Sequence, residues 1–465
     1  MTLSYMKNPI HLVAILVCLL YGKALLAQFP STYIFQKDDT VLRTQYLQQS
    51  VNKHKAAIAS ITQYSSDYKE FYNQQFEQAE GFWESTRPVT APDIQAYLQE
   101  IVQKIITAND ELNGTDARIV FSRDWWPNAV SMGDGTIAVN AGLFVFLENE
   151  AQLVYIISHE LAHYHLAHTQ SAIKGYVEKI NSKEYKDEVK RLSKMEYGAN
   201  RKIEDFMKSL AFDSRKHSRD KEAEADRKAF DFMKNTGYDR LAVKSCLQLL
   251  DKIDDSLYFP NSFSVNTFFN FPEYAFKPRW IQKESALFSE MKDEESFRDK
   301  KEKDSLKTHP DCSKRIALLQ NDFDKETANG KLFLVNENLF HQLKRDFYFE
   351  MMEESYRSNS LSRNLYFNIL LLSNHPDNKV AVYSITRCLN DLFALQKAHK
   401  IGLTIDAEDN GYPQSYNLLI RMLSRLKLDE ILQVNTYFSK KYYSLVQDDE
   451  AFKKELIRLH DFKTN

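Results

Sequence analysis

The sequence predicts a mainly α-helical fold that contains one small β-sheet. Glycine and proline are scarce, with 12 and 11 copies among 465 residues, which is roughly 5% against a usual share of about 12%. Because β-sandwiches and barrels use these residues in their many turns, the scarcity favours long helices. Short β-like runs at 118–121 and 136–139 indicate strands, and long stretches with apolar residues three or four positions apart indicate helices.

The composition is that of a folded chain with a large core. Hydrophobic residues make up 43% and charged residues 27%, which excludes a disordered or fibrous protein. The net charge of −3 gives no electrostatic reason to expect nucleic-acid binding. A mean hydropathy of −0.49 excludes a polytopic membrane protein.

The first 27 residues are typical of a secretory signal peptide. Lys7 precedes an apolar run at 10–21, and small residues lead up to Ala27, where we expect cleavage. The run is shorter than the span of about 20 residues that crosses a bilayer, although an uncleaved anchor is the alternative. The segment predicts export across the inner membrane, to the periplasm or another extracytoplasmic space.

The elements after this segment follow from local patterns. Residues 28–90 are polar and are expected to form an N-terminal helical extension that wraps the next region. The turn Gly133-Asp134-Gly135 precedes the second strand, and Asn149 is expected to cap a helix. Helices are predicted at 94–106, 149–169, 219–233 and 240–253, and helical composition also marks the charged stretch 174–216.

The C-terminal half contains an aromatic segment and then more helices. We call residues 256–280 the aromatic loop, because phenylalanine, tyrosine, tryptophan and three prolines crowd there. It is expected to pack over the core of the region 91–325, which contains it, or else to contact a membrane or a client protein. Residues 285–307 are highly charged and are expected to be solvated. Residues 326–465 are predicted to form a helical C-terminal domain, with a weak tetratricopeptide-like pattern that suits either a partner-binding groove or plain helical packing.

The pattern with the most chemical content is His159-Glu160-Leu161-Ala162-His163. Residues four apart share one face of a helix, so His159 and His163 can present imidazole nitrogens to one metal ion. Glu160 is then placed to act on a metal-bound water, and this is the HExxH pattern of zinc hydrolases. The alternative is a solvated helix rich in histidine, since His165 and His168 follow.

A catalytic zinc site needs a third protein ligand. Glu222 is the candidate, and Asp226 lies one turn further along the same predicted helix. Asp226 can accept a hydrogen bond from a ligating histidine and so fix its tautomer. The alternative is an ordinary acidic helix face.

Together these motifs resemble peptidase family 48, which includes the HtpX, Oma-type and BepA-like zinc metallopeptidases of the gluzincin kind. The resemblance covers about 94–318. The matching motifs, in chain order, are Asn128-Ala129, Gly135 to Leu143, Glu148 to Leu153, His159 to His163, Glu222 to Asp226, and Thr308-His309-Pro310 with Arg315-Ile316. It implies a zincin-like metallopeptidase domain at 91–325.

The resemblance also implies roles for individual residues. One Zn²⁺ per chain would be held by His159, His163 and Glu222, with Glu160 as general base and Asp226 hydrogen-bonded behind a ligand. His309 would donate to the oxyanion, plug the open zinc position or simply pack. Arg315 is expected to form a structural ion pair. A free edge for an extended substrate is expected on the strand of Thr136, Ile137, Ala138, Val139 and Asn140.

The resemblance therefore implies a zinc metalloendopeptidase with protein or peptide substrates, acting in envelope protein quality control. Contact with a membrane or an envelope complex is expected through the aromatic loop or the helical C-terminal domain. The alternative function is a chaperone-like or scaffold protein with a latent zinc site. A zinc hydrolase acting on substrates other than peptides is a third hypothesis.

Overall fold

The computed structural model describes residues 33–193, 219–253, 263–282, 312–327 and 329–464. The predicted signal peptide, the charged run 285–307 and His309 lie outside these residues. The prediction of a mainly helical fold with a small sheet is confirmed. None of the helices in the described ranges combines the length and the apolar character needed to cross a membrane.

Two helices, α1 (Thr40–Ala59) and α2 (Ser65–Glu84), form the N-terminal extension. They pack against each other. Phe82 and Trp83 near the end of α2 are buried in one cluster with Val120 and Ala138 of the sheet. The extension therefore covers one face of the sheet, as expected for a segment that wraps the next region.

The sheet has four strands in the order β1-β2-β4-β3: β1 (Pro88–Val89), β2 (Arg118–Ser122), β3 (Ala129–Ser131) and β4 (Thr136–Asn140). Strands β2 and β4 run parallel, and the other two pairs are antiparallel. The prediction that 136–140 is a free edge is wrong, because β4 pairs with β2 on one side and β3 on the other. The edge beside β4 belongs to β3, which the predicted turn joins to β4 through Gly133 and Gly135, both at positive φ.

The next helices complete the part of the chain before the C-terminal region, and the first hydrophobic core around the sheet is built by those at 92–107, 141–144, 150–165, 219–232, 242–253 and 312–323. They are α3 (Pro92–Thr107), α4 (Ala141–Phe144), α5 (Glu150–His165), α6 (His168–Asn181), α7 (Lys183–Ser193), α8 (219–232), α9 (Ala242–Ile253), α10 (Val265–Phe268) and α11 (Cys312–Phe323). Helix α5 is the central element, since nearly every side chain from Glu150 to Ala162 is buried. It packs against α3, α9 and β3.

Helix α5 begins as predicted and ends earlier than predicted. The Asn149 side chain accepts a hydrogen bond from the backbone N–H of Gln152 at 3.0 Å, which confirms the cap. The helix ends at His165 rather than at Thr169, because Ala167 adopts a left-handed conformation with φ +53°. Alanine favours helix interiors, so composition gave no sign of this break. The break starts α6 at His168 and turns that residue back toward α5.

Replacing Ala167 with glycine is expected to stabilise the protein. A left-handed conformation costs an L-residue roughly 1–2 kcal/mol, and glycine adopts it without that cost. After the larger entropy of the unfolded glycine is subtracted, a gain of about 0.5–1 kcal/mol remains. Urea unfolding measures it. The exposed Ala172 in the middle of α6 is the control, since Ala172→Gly should destabilise by about 0.5–1 kcal/mol. Equal destabilisation by both variants would contradict the expectation.

Six helices form the C-terminal region: α12 (Glu337–Arg357), α13 (Leu361–Asn374), α14 (Lys379–Lys397), α15 (Gln414–Arg425), α16 (Leu428–Val446) and α17 (Glu450–Thr464). Most of them surround a second core. Helix α12 contributes to both cores, with Phe340 and Phe347 in the first and Phe349 and Met352 in the second. The predicted boundary at 325/326 falls shortly before this shared helix.

The described part of the aromatic loop packs on the helical region. Phe263, Phe269, Phe271 and Trp280 are buried in the second core. Glu430 of α16 holds the end of this segment, accepting hydrogen bonds from Lys277, Arg279 and the Trp280 indole. The expectation that this loop packs over the core of the region 91–325 is therefore wrong for 263–280, because its buried rings lie in the second core, which is built by residues far along the chain. Residues 256–262 lie outside the described ranges.

Candidate active site

His159 and His163 stand one turn apart on α5, and α8 brings Glu222 against both. The Nε2 atoms of the two histidines are 3.1 Å apart. Glu222 places Oε2 3.4 Å from Nε2 of His159 and Oε1 3.4 Å from Nε2 of His163. The structure thus brings together the three residues predicted as metal ligands.

These separations fit a tetrahedral metal ion. Zinc binds imidazole nitrogen and carboxylate oxygen at about 2.0–2.2 Å, so ligand atoms around a tetrahedral ion lie about 3.3–3.6 Å apart. The measured separations of 3.1–3.4 Å are close to that range. All three side chains line one cavity of about 260 Å³, which provides room for a substrate group beside the ion.

Asp226 lies beside the remaining nitrogen of His159. Its Oδ1 lies 3.0 Å from Nδ1 of His159, and its two oxygens accept hydrogen bonds at 2.6 Å from Arg315 and at 2.7 Å from the Tyr155 hydroxyl. Burial raises the pKa of Asp226, but Arg315 and the hydrogen bonds outweigh burial and lower that pKa well below its usual value. Asp226 is therefore a carboxylate that can accept a hydrogen bond from the Nδ1–H of His159. Arg315 forms the expected ion pair with it.

A family comparison identifies this part of the chain. The sequence model of peptidase family M48 matches residues 92–322. The chain belongs to peptidase family M48. No curated protein sequence matches it significantly. The M48 region begins at the start of α3 and ends within α11, so it contains strands β2, β3 and β4, both ligand-bearing helices and Arg315. The family consists of zinc-dependent metallopeptidases, which agrees with the donor set found here.

Glu160 follows the first histidine on α5 of the M48 region and lines the same cavity. Burial raises the pKa of its carboxyl above the usual value, although the neighbouring His159 and His163 act in the opposite direction. A carboxyl with a raised pKa is a stronger base once ionised, which suits general base catalysis near neutral pH. Glu160 makes none of the close contacts that unite the three metal-ligand candidates.

Strand β3 of the M48 region contributes to the wall of the cavity, and the sequence did not predict this strand. Asn128, Ala129 and Ser131 line the cavity. The carbonyl of Asn128 accepts a hydrogen bond from the N–H of Asn140, and the N–H of Met132 donates to the carbonyl of Thr136. The residues whose backbone groups hydrogen-bond to β4 are therefore 128, 130 and 132. By alternation, the N–H and C=O groups of Ala129 and Ser131 point away from β4. No backbone hydrogen bond to another described residue engages these groups, so within the described ranges the free edge lies on β3 rather than on β4.

Other histidines take different positions. His165 packs on Phe232 and lies 3.5 Å from a Glu111 carboxylate oxygen, outside the cluster. His168, which sequence analysis gave no role, is buried with Nδ1 2.9 Å from Nδ1 of His163. Burial, together with the neighbouring His163, lowers its pKa.

Proposed function

We propose that this M48 protein is a zinc metalloendopeptidase that cleaves protein substrates. The observation that carries the proposal is the convergence of His159, His163 and Glu222 at metal-ligand separations inside one cavity. Glu160 in the same cavity supplies the base that a hydrolase requires. The alternative hypothesis of a chaperone-like or scaffold protein uses the same metal site without cleavage.

Each residue has a separate task in peptide hydrolysis. A zinc ion held by the three ligands would polarise the scissile carbonyl and make a water molecule more acidic. Glu160 accepts a proton from the attacking water and returns it to the leaving amine. Asp226 accepts the Nδ1–H of His159 and so keeps Nε2 directed at the metal position.

The outward groups of β3 suit an extended substrate. Backbone groups of Ala129 and Ser131 can pair with a peptide laid along the edge, as in β-strand addition. Main-chain pairing reads little of the side-chain sequence, so unfolded segments of many proteins are suitable substrates. In a folded domain most strands are already paired, so far fewer extended segments are available.

The cellular setting is proposed from the N-terminal sequence and the family. The predicted signal peptide supports export of the enzyme to the periplasm or another extracytoplasmic space. There, cleavage of unfolded chains amounts to quality control of envelope proteins, the role implied by the resemblance to the HtpX and BepA-like members. The helical C-terminal region and the aromatic loop are the proposed contacts with a membrane or an envelope complex.

Casein cleavage by wild type and by Glu160→Gln tests the activity. Glutamine keeps the size of the side chain but cannot accept the proton, so we expect kcat/KM to fall by about 10²–10⁴-fold. Zinc content should stay at about one ion per chain, because Glu160 is not a ligand. A chelator should abolish wild-type cleavage, and added zinc should restore it.

Two outcomes would contradict the proposal in different ways. Equal cleavage by wild type and Glu160→Gln would remove Glu160 from the chemistry. A zinc-loaded wild type that cleaves neither casein nor peptides would favour the chaperone-like or scaffold hypothesis.

A further inference from the structure

The first residue of α6, His168, contacts the metal-ligand candidate His163 on the side that faces away from the metal position. Nδ1 of His168 lies 2.9 Å from Nδ1 of His163, and the two rings meet nearly at right angles with centroids 4.9 Å apart. His168 is only 7% exposed. This contact therefore lies inside the protein, where a hydrogen bond does not compete with bulk water.

The chemistry of the two rings fixes the direction of the hydrogen bond. Nε2 of His163 faces His159 and Glu222, so a neutral His163 that binds metal through Nε2 carries its proton on Nδ1. That proton requires an acceptor, and Nδ1 of His168 is the atom in reach. His168 must then carry its own proton on Nε2, which lies 3.3 Å from a Glu224 carboxylate oxygen.

The backbone of His168 is held by the helix that supplies the third ligand. Its carbonyl oxygen accepts a hydrogen bond at 2.8 Å from Nζ of Lys221. Lys221 and Glu224 both belong to α8 and flank Glu222 in sequence. His168 thus joins α8 to His163 on α5, and the left-handed turn at Ala167 makes this position possible.

We propose that His168 is a positioning residue for the metal site: it fixes the tautomer and ring orientation of His163 and links the two ligand-bearing helices. This inference rests on the proposed metal site. It gives His163 a partner equivalent to the one that Asp226 provides for His159. The two ligands are thereby oriented by different chemistries, a buried carboxylate for one and a neutral imidazole for the other.

The test is zinc affinity of the full chain, measured by competition with a chromogenic chelator. His168→Leu introduces an apolar side chain of similar bulk that has no hydrogen-bond acceptor. His168→Ala is a second variant that lacks the acceptor. His168→Asn places an amide oxygen near the position of Nδ1. We expect zinc affinity to fall about 10–100-fold in the Leu and Ala variants, the usual effect of losing such a partner, and to be largely restored in His168→Asn.

The outcomes separate this inference from the proposed function. Unchanged zinc affinity in His168→Leu and His168→Ala would overturn the positioning role. An equal loss of zinc affinity in all three variants would also overturn the positioning role, because only packing would then matter. Urea unfolding of the metal-free proteins checks that each variant folds. A wild type that binds no zinc would refute the metal site itself, and the positioning role with it.

Discussion

Glu222→Ala is expected to lose both zinc and peptidase activity. The side chain contributes one of three protein ligands, and its oxygens lie 3.4 Å from Nε2 of both histidines. Losing a partner that merely orients a ligand weakens metal binding about 10–100-fold, so losing a ligand should cost more than about 100-fold. Atomic absorption after dialysis measures the loss of zinc. Casein cleavage at the same protein concentration measures the loss of activity.

Asp220→Ala is the matched control for this experiment. Asp220 lies on the same helix, is exposed and takes no part in the cluster. We expect it to keep both zinc and activity, which would exclude a general effect of removing an acidic residue from α8. Retention of full zinc content in Glu222→Ala would contradict the assignment of Glu222 as the third ligand.

Local geometry explains why part of this site was predictable. The pairing of His159 with His163 needs only four residues of helix, so the sequence indicated it directly. The approach of Glu222 is a long-range contact between α5 and α8. The residue pattern offered Glu222 only as a candidate beside an ordinary acidic helix face, and the family resemblance supplied its role as the third ligand. Residues whose roles arise from packing alone, such as His168, carried no comparable signal.

The errors have physical causes as well. Strand β3 has only three residues and its middle residue is exposed, so its pattern is too short to show alternation. Without it, β4 looked like an edge. The aromatic loop is rich in buried rings, but composition says only that such rings pack and does not name their partner. That partner, the second core, is formed largely by helices that lie from residue 337 onward.

The largest stability effect is expected at Glu150, in the first turn of α5. Its carboxylate is fully buried and accepts hydrogen bonds from the hydroxyls of Tyr97 and Tyr238, each at 3.0 Å. The backbone N–H groups of residues 334–336 donate to it at 2.7–2.9 Å. Because these residues precede α12, Glu150 ties the start of the helical region to the helix that carries the metal ligands.

Glu150→Gln should therefore destabilise the protein by about 3 kcal/mol or more. The amide nitrogen must replace one oxygen, and each oxygen accepts at least two hydrogen bonds. The tyrosine hydroxyls can turn to accept from the amide, but at least one backbone N–H then faces another donor, at a cost of about 1–3 kcal/mol. The remaining hydrogen bonds also lose the negative charge that strengthened them. Urea unfolding at neutral pH measures the loss. Exposed Glu148 gives the control, since Glu148→Gln should stay within about 0.5 kcal/mol.

The effect of Glu150→Gln should also depend on pH. Burial raises the pKa of Glu150, but the backbone donors outweigh burial and lower that pKa below its usual value. A carboxylate with a lowered pKa stabilises the fold fully above the unfolded pKa, and that stabilisation is lost as the pH falls through the folded pKa. The gap in stability between wild type and Glu150→Gln should therefore narrow in acid. If Glu150→Gln destabilised the protein at neutral pH no more than Glu148→Gln does, the five donors would have found other acceptors. Glu150 would then not be the link between the two cores.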